Sequence, residues 1–414
     1  MKAIFTFLAF FIVATLSSCQ QEDIKPNKNK VIDLDEKSAQ LVEADNTFGL
    51  EIFQKIRVES EEENIMISPL SISVALAMAY NGADGKTKTE MENTLKLNGL
   101  SVEQINASYE ILIAALQSLD EDVVFELANA IFYANGFTIK PGFLEVNQKS
   151  YDAEVSGLDF QSPSALETIN GWVAEKTHDK IKTIINSLSP DDRMVLLNAV
   201  YFNGIWSTEF EEDGTKMANF NLLNGESKEA ETMHKEDKLE FTTNSLFSAI
   251  KLPYGNGQYN MVVMLPGSDK NSQDVIDNLT PENWKSWNEQ FEEKEHIMVS
   301  MPRFKFSFKM PLNNVLKEMG MIEAFKGGIA DFSKITDQDL FISSVLHKSY
   351  IDVNENGTEV AAVTAITFAT TSIGNEEVQK IYFTVDKPFI FAITEKDTGA
   401  ILFIGEVRNP EYDS

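Results

Sequence analysis

The chain has 414 residues, 43% of them hydrophobic and 24% charged, an ordinary globular composition with room for one large or two medium domains. Its 35 basic and 64 acidic side chains leave a net charge of −29. Such a polyanion repels nucleic acids and anionic lipid, and no basic run offsets it, so nucleic-acid-binding classes are excluded and the acidity reads as a solvated surface.

The first residues form a targeting signal. Lys2 supplies a positive charge, and the apolar run from Ala3 to Leu16 is shorter than the roughly 20 residues of a membrane helix. The run ends in Leu16-Ser17-Ser18-Cys19, and Cys19 is the only cysteine. This end resembles the lipobox of bacterial lipoproteins, where the Cys thiol receives diacylglycerol and the leader is cut before it. The resemblance implies a signal peptide over residues 1–18 and lipidation at Cys19. It also implies an extracytoplasmic protein held to a bacterial membrane by that lipid alone, facing either the periplasm or the cell surface. A plain secretory signal with an incidental cysteine is the alternative. In both cases the mature chain has no disulfide, so its stability must come from a large core.

Residues 19–40 are polar, charged and without periodicity, and read as a flexible tether. Leu41, Val42, Phe48, Leu50, Ile52, Phe53 and Ile56 then follow helical spacing. No later linker or repeat marks a boundary, so one domain is expected over 41–414.

Two segments imitate ligand-binding motifs. Gly82-Ala83-Asp84-Gly85-Lys86-Thr87 ends like a phosphate loop, but Tyr80 stands where the first Gly belongs and a helical run precedes it. Asp352-Val353-Asn354-Glu355-Asn356-Gly357 begins like a calcium loop, but its twelfth position is Val363 rather than a bidentate Glu. His178, His234, His296 and His347 lack metal-ligand spacing. No metal and no cofactor is expected. No Gly-x-Ser-x-Gly elbow is present, although a catalytic triad assembled only in space would leave no such trace.

Phe341 to Val353 is β-prone, and Asn354-Glu355-Asn356-Gly357 is a strong turn signal. The next stretch, Thr358 to Thr371, has one charge, no Pro and no Gly. Thr358, Val360, Ala362, Thr364, Ile366 and Phe368 share one face of its pleat; Glu359, Ala361, Val363, Ala365 and Thr367 share the other. Pattern alone favours an ordinary hairpin strand over a loop with the composition of a strand.

Several collinear blocks decide between them. Glu355 to Thr364 resembles the hinge of inhibitory serpins. Phe383 to Phe391 and Ile401 to Pro410 resemble the family's C-terminal signature. Asn64 to Leu76, Asn170 to Val173 with Thr177 and Lys180-Ile181, Asn198 to Trp206, Pro302 to Lys305 and Met319 to Phe325 add further matches. The resemblance spans about residues 41–410. It implies an α+β serpin fold with about three β-sheets, eight to nine helices and a mobile reactive-centre loop. It implies a monomeric inhibitor rather than an enzyme, with target serine proteases as partners and cysteine proteases as a further class.

In that frame the hinge comprises Glu355, Gly357, Thr358, Glu359, Val360, Ala361, Ala362 and Thr364. Val360 departs from the usual Ala, an apolar change expected at most to slow insertion. Ser68, Ser71, Asn198 and His347 resemble the polar shutter cluster, and Trp206 the tryptophan of the breach where insertion begins. Counting from Gly357 puts the reactive bond at Thr371–Ser372; counting back from Pro388 points nearer Glu377, and the hinge count is preferred. No Arg or Lys lies between Gly357 and Val378, which points to elastase-like or subtilisin-like targets. A non-inhibitory member acting as a surface binding protein is the alternative.

Overall fold

The computed structural model describes residues 30–189, 192–358 and 380–412. Its helices are α1 (Glu36–Glu59), α2 (Pro69–Tyr80), α3 (Gly85–Thr94), α4 (Val102–Gln117), α5 (Pro141–Tyr151), α6 (Pro163–Lys176), α7 (Ser272–Ile276), α8 (Pro281–Asn288) and α9 (Asn313–Glu318). Local chemistry sets their starts. Asp35 caps α1 by accepting from the amides of Lys37 and Ser38, and Ser68 caps α2 just before a proline. Ser101 and Gln104 close a reciprocal capping box on α4. In α2 every residue except Ala75 is buried, which marks a helix enclosed within the fold.

The strands are β1 (Ile65–Ile67), β2 (Val123–Ala134), β3 (Glu154–Leu158), β4 (Met194–Ile205), β5 (Lys216–Asn221), β6 (Ser227–Thr243), β7 (Phe247–Tyr254) and β8 (Tyr259–Pro266). They continue as β9 (Glu292–Pro302), β10 (Phe304–Pro311), β11 (Leu346–Val353), β12 (Gly357–Thr358), β13 (Ile381–Thr384), β14 (Phe389–Glu395) and β15 (Ile401–Val407). The described residues form two hydrogen-bonded sheets rather than three. One runs β1-β15-β14-β8-β7-β6-β9-β13, with β5 also on β6. The long β6 pairs β7 at one end and β9 along most of its length, so two smaller sheets merge through a single strand. β14 and β15 are buried at every position, as the unbroken apolar runs of central strands require.

The second sheet has the order β10-β11-β12-β4-β2-β3. Its β4 alternates between two cores. Val200 and Phe202 join the main core, whereas Leu197 and Ala199 pack with Ile169, Trp172 and Val173 of α6 on the opposite face. The sheet is therefore covered on both sides.

Among the described residues, β4 pairs only with β2 and β12, and β11 only with β10 and β12. β12 is antiparallel to both, so β4 and β11 run parallel with a two-residue strand wedged at their head.

Asp35 and the start of α1, Glu36 to Gln40, fall inside the segment read as a tether. Upstream of them, the Lys30 ammonium donates to the Ser118 carbonyl at 2.6 Å and the Ile32 amide to Asp397 at 3.0 Å. Ile32 and Leu34 pack on the main core. In the two lookalike motifs, Lys86 is paired with Glu323 at 2.7 Å and Asp352 with Lys305 at 3.5 Å.

Candidate functional site

The geometry that matters lies where β11 turns into β12. The Asn354 amide donates to the Gly357 carbonyl at 3.0 Å, the Gly357 amide returns to Asn354, and the Asn354 side chain accepts from the Asn356 amide. These bonds make the tight reversal that the Asn-Gly pair signals. A Cβ on Gly357 would sit 2.1 Å from the Gly204 carbonyl oxygen, so only glycine lets the chain approach β4 this closely.

Trp206 fixes the turn from the other side. Its indole donates to the Asn354 carbonyl and its amide to the Asn356 carbonyl, both at 2.9 Å. Its ring stacks on Tyr254 with centroids 4.3 Å apart, and the Tyr254 hydroxyl meets the Thr358 hydroxyl at 2.5 Å. Thr358 is 3% exposed.

Glu355 is 2% exposed and is held by charge. The Arg303 guanidinium donates to both of its carboxylate oxygens, with the closest contact at 2.7 Å, and Thr215 donates to it as well. Arg303 also reaches Glu231 at 3.1 Å. Burial works against the guanidinium's charge, but Glu355 and Glu231 outweigh it and hold its pKa above the usual value. Arg303, Tyr254 and Thr215 were not singled out from the sequence. The available signal was indirect, since a buried turn carboxylate demands a cation.

Ser68, Ser71, Asn198 and His347 do come together, lower in the same gap. The His347 Nε2 accepts from the Ser68 amide at 3.3 Å, the Ser71 amide donates to the Ser68 hydroxyl, and the Ser71 hydroxyl donates to Asn198. Asn198 donates to Asn129 at 2.7 Å, which donates to the Tyr151 carbonyl at 2.6 Å. A polar relay thus joins β11 to β4 and β2 through the N-terminus of α2, rather than by a direct bond across the gap. On the outer face, Lys348 of β11 donates to the Thr183 carbonyl at 3.0 Å, so the segment after α6 straps across the same opening.

Burial pushes the His347 imidazole down to about 4 from 6.5. The unfolded chain therefore takes up its proton first as pH falls. The contribution of neutral His347 is fully present above the unfolded value and is lost as pH drops through 6.5 toward 4. Between pH 7 and 4 the wild type should lose about 3 kcal/mol more unfolding free energy than His347→Gln. Denaturant titrations at the two pH values measure this, and equal losses would contradict it.

Cys19, Glu359, Val360, Ala361, Ala362, Thr364, Thr371 and Ser372 lie outside the described residues.

Comparison with known proteins agrees with this architecture. The model of the serpin family, described as serine protease inhibitors, matches residues 43–410. The human leukocyte elastase inhibitor is 33% identical over 386 residues, covering 90% of this chain and all of the relative. The native-state structure of the thermophilic serpin tengpin superimposes with a TM-score of 0.81 at 31% identity, covering 92% of this chain and 96% of that one. Human thyroxine-binding globulin, solved with its hormone, reaches the same TM-score at 26% identity, covering 91% of this chain and all of its own.

Proposed function

This chain belongs to the serpin family, and from that premise we propose that it is a suicide inhibitor of extracellular serine proteases with elastase-like or subtilisin-like preference. One observation carries the reading: Gly357 and Thr358 already stand as the first rungs of a strand between β11 and β4. The residues after them continue the small, β-prone, nearly uncharged pattern that a further strand needs.

The target's serine attacks the Thr371–Ser372 carbonyl and forms an acyl-enzyme, releasing the Ser372 amine. The freed hinge then extends β12 down the gap. About a dozen residues would gain ladder hydrogen bonds at about 0.5–1.5 kcal/mol each, and one face is buried at about 25 cal/mol per Å². A gain on the order of 10 kcal/mol can drag the acylated protease and distort its oxyanion hole, where losing one donor already slows chemistry by about 10²–10³-fold. Deacylation stalls, and no cofactor takes part. Lipidation at Cys19 would hold the inhibitor at a bacterial membrane on the extracytoplasmic side, where such proteases act.

Mixing the mature protein with leukocyte elastase tests this. The expected result is a complex that survives boiling in detergent, with a released fragment beginning at Ser372. Stoichiometric cleavage without any complex overturns the inhibitory reading. It would favour a binding role of the kind that thyroxine-binding globulin, a close structural match, performs for its hormone.

A further inference from the structure

The gap between β4 and β11 opens at its lower end into a cavity of about 480 Å³. That is within the range of small-molecule pockets, about 300–1,000 Å³. Part of its wall is apolar: Ile72, Ala75 and Leu76 of α2, Leu197 of β4, and Leu340 and Ile342 of the segment before β11. Ser71, Asn198 and His347 line one end, but they are occupied by the relay described above.

The lining also carries positive charge. Lys309 and Lys348 both line the cavity and are direct cross-strand partners on β10 and β11. Like charges in that register repel. Neither lysine forms an ion pair with a carboxylate among the described residues, in a chain whose net charge is −29. Lys348 spends one N–H on the Thr183 carbonyl. Among the described residues, Asp192 is the acid that lines the cavity, and it accepts from the Ser189 amide at 2.7 Å. Burial and the Lys309 charge both act to drive the Lys348 ammonium down from its usual value, a tension that a bound anion would relieve.

We propose that this cavity is a binding site for a single-chain amphipathic carboxylate, its alkyl chain along the α2 wall and its head group between Lys309 and Lys348. Each buried methylene adds about 0.8 kcal/mol of driving force, and the carboxylate supplies the anion that the lysine pair lacks. The bound chain lies where an inserting strand would pass. That consequence rests on the inhibitory reading; the site itself does not.

Calorimetric titration of the full chain with decanoate, below micelle formation and without any protease, tests the site independently of inhibition. Saturable one-to-one binding is expected. Lys309→Gln with Lys348→Gln should weaken it about 10-fold or more, as the loss of charge-assisted hydrogen bonds implies, and decanol should bind weaker by a similar factor. Glutamine at 348 can still donate to the Thr183 carbonyl, and losing the two facing charges removes their repulsion, so the double variant should melt no lower than the wild type. Ala75→Phe, which fills the cavity from α2, should abolish binding. No saturable heat, equal affinity in the double variant, or decanol binding as tightly as decanoate would overturn the proposal.

Discussion

On the proposed mechanism, Thr358→Arg should turn the protein from an inhibitor into a substrate. Thr358 is the last described residue before the bait segment; it is 3% exposed, paired with Val353 on one side and Gly204 on the other. Its hydroxyl meets that of Tyr254 in a wall built from Trp206 and Tyr254. An arginine there must either bury an unpaired charge, which costs several kcal/mol, or leave the gap. Leaving stops β12 from growing at its first rung. The acyl-enzyme then hydrolyses before it is distorted. The number of inhibitor molecules consumed per elastase inactivated should rise about tenfold or more, since a shift of 1.4 kcal/mol in the partition is already a factor of ten. An unchanged stoichiometry would count against insertion as the mechanism.

Glu355→Lys carries the largest expected effect on stability. The wild-type carboxylate is buried, doubly bonded to Arg303 and also bonded to Thr215. The variant removes the partner of a part-buried guanidinium and sets a second cation beside it. Breaking a buried pair in this way costs about 3–5 kcal/mol, because the remaining charge is left uncompensated. The loss falls on the turn that holds Gly357 and Thr358, so the head of the gap should loosen with it. The melting temperature should fall by about 5–10 °C. Combining Glu355→Arg with Arg303→Glu should recover part of that loss, which separates the pair's own coupling from general damage. A variant that melts within about 1 °C of the wild type would show that the pair does not hold the turn.

Much of this head region was legible in the sequence because its signals are local. Asn354 to Gly357 specifies a reversal, and Ser68-Pro69 specifies a helix start. What stayed hidden depends on distant pairing. Arg303 is 52 positions from Glu355, and nothing in Pro302-Arg303-Phe304 says which acid it meets. β6 is rich in Lys and Glu and has no core pattern of its own; it is a strand because β5, β7 and β9 pair with it, and that pairing merges the sheets. The start of α1 was missed because the segment before it is polar. Its anchors, Ser118 and Asp397, are 88 and 365 positions away. His347 alone reads as a satisfied core histidine. Only the resemblance grouped it with Ser68, Ser71 and Asn198, and the structure shows that the grouping is a relay through α2.

The proposed mechanism requires that the bait segment can fill the gap between β4 and β11 as a new strand. A protease that nicks the segment without being trapped offers the cleanest test, because it separates insertion from acyl-enzyme chemistry. If the claim holds, the nicked protein should melt about 20 °C or more above the intact one, as a gain on the order of 10 kcal/mol requires. A nicked protein that melts at or below the temperature of the intact chain would contradict it.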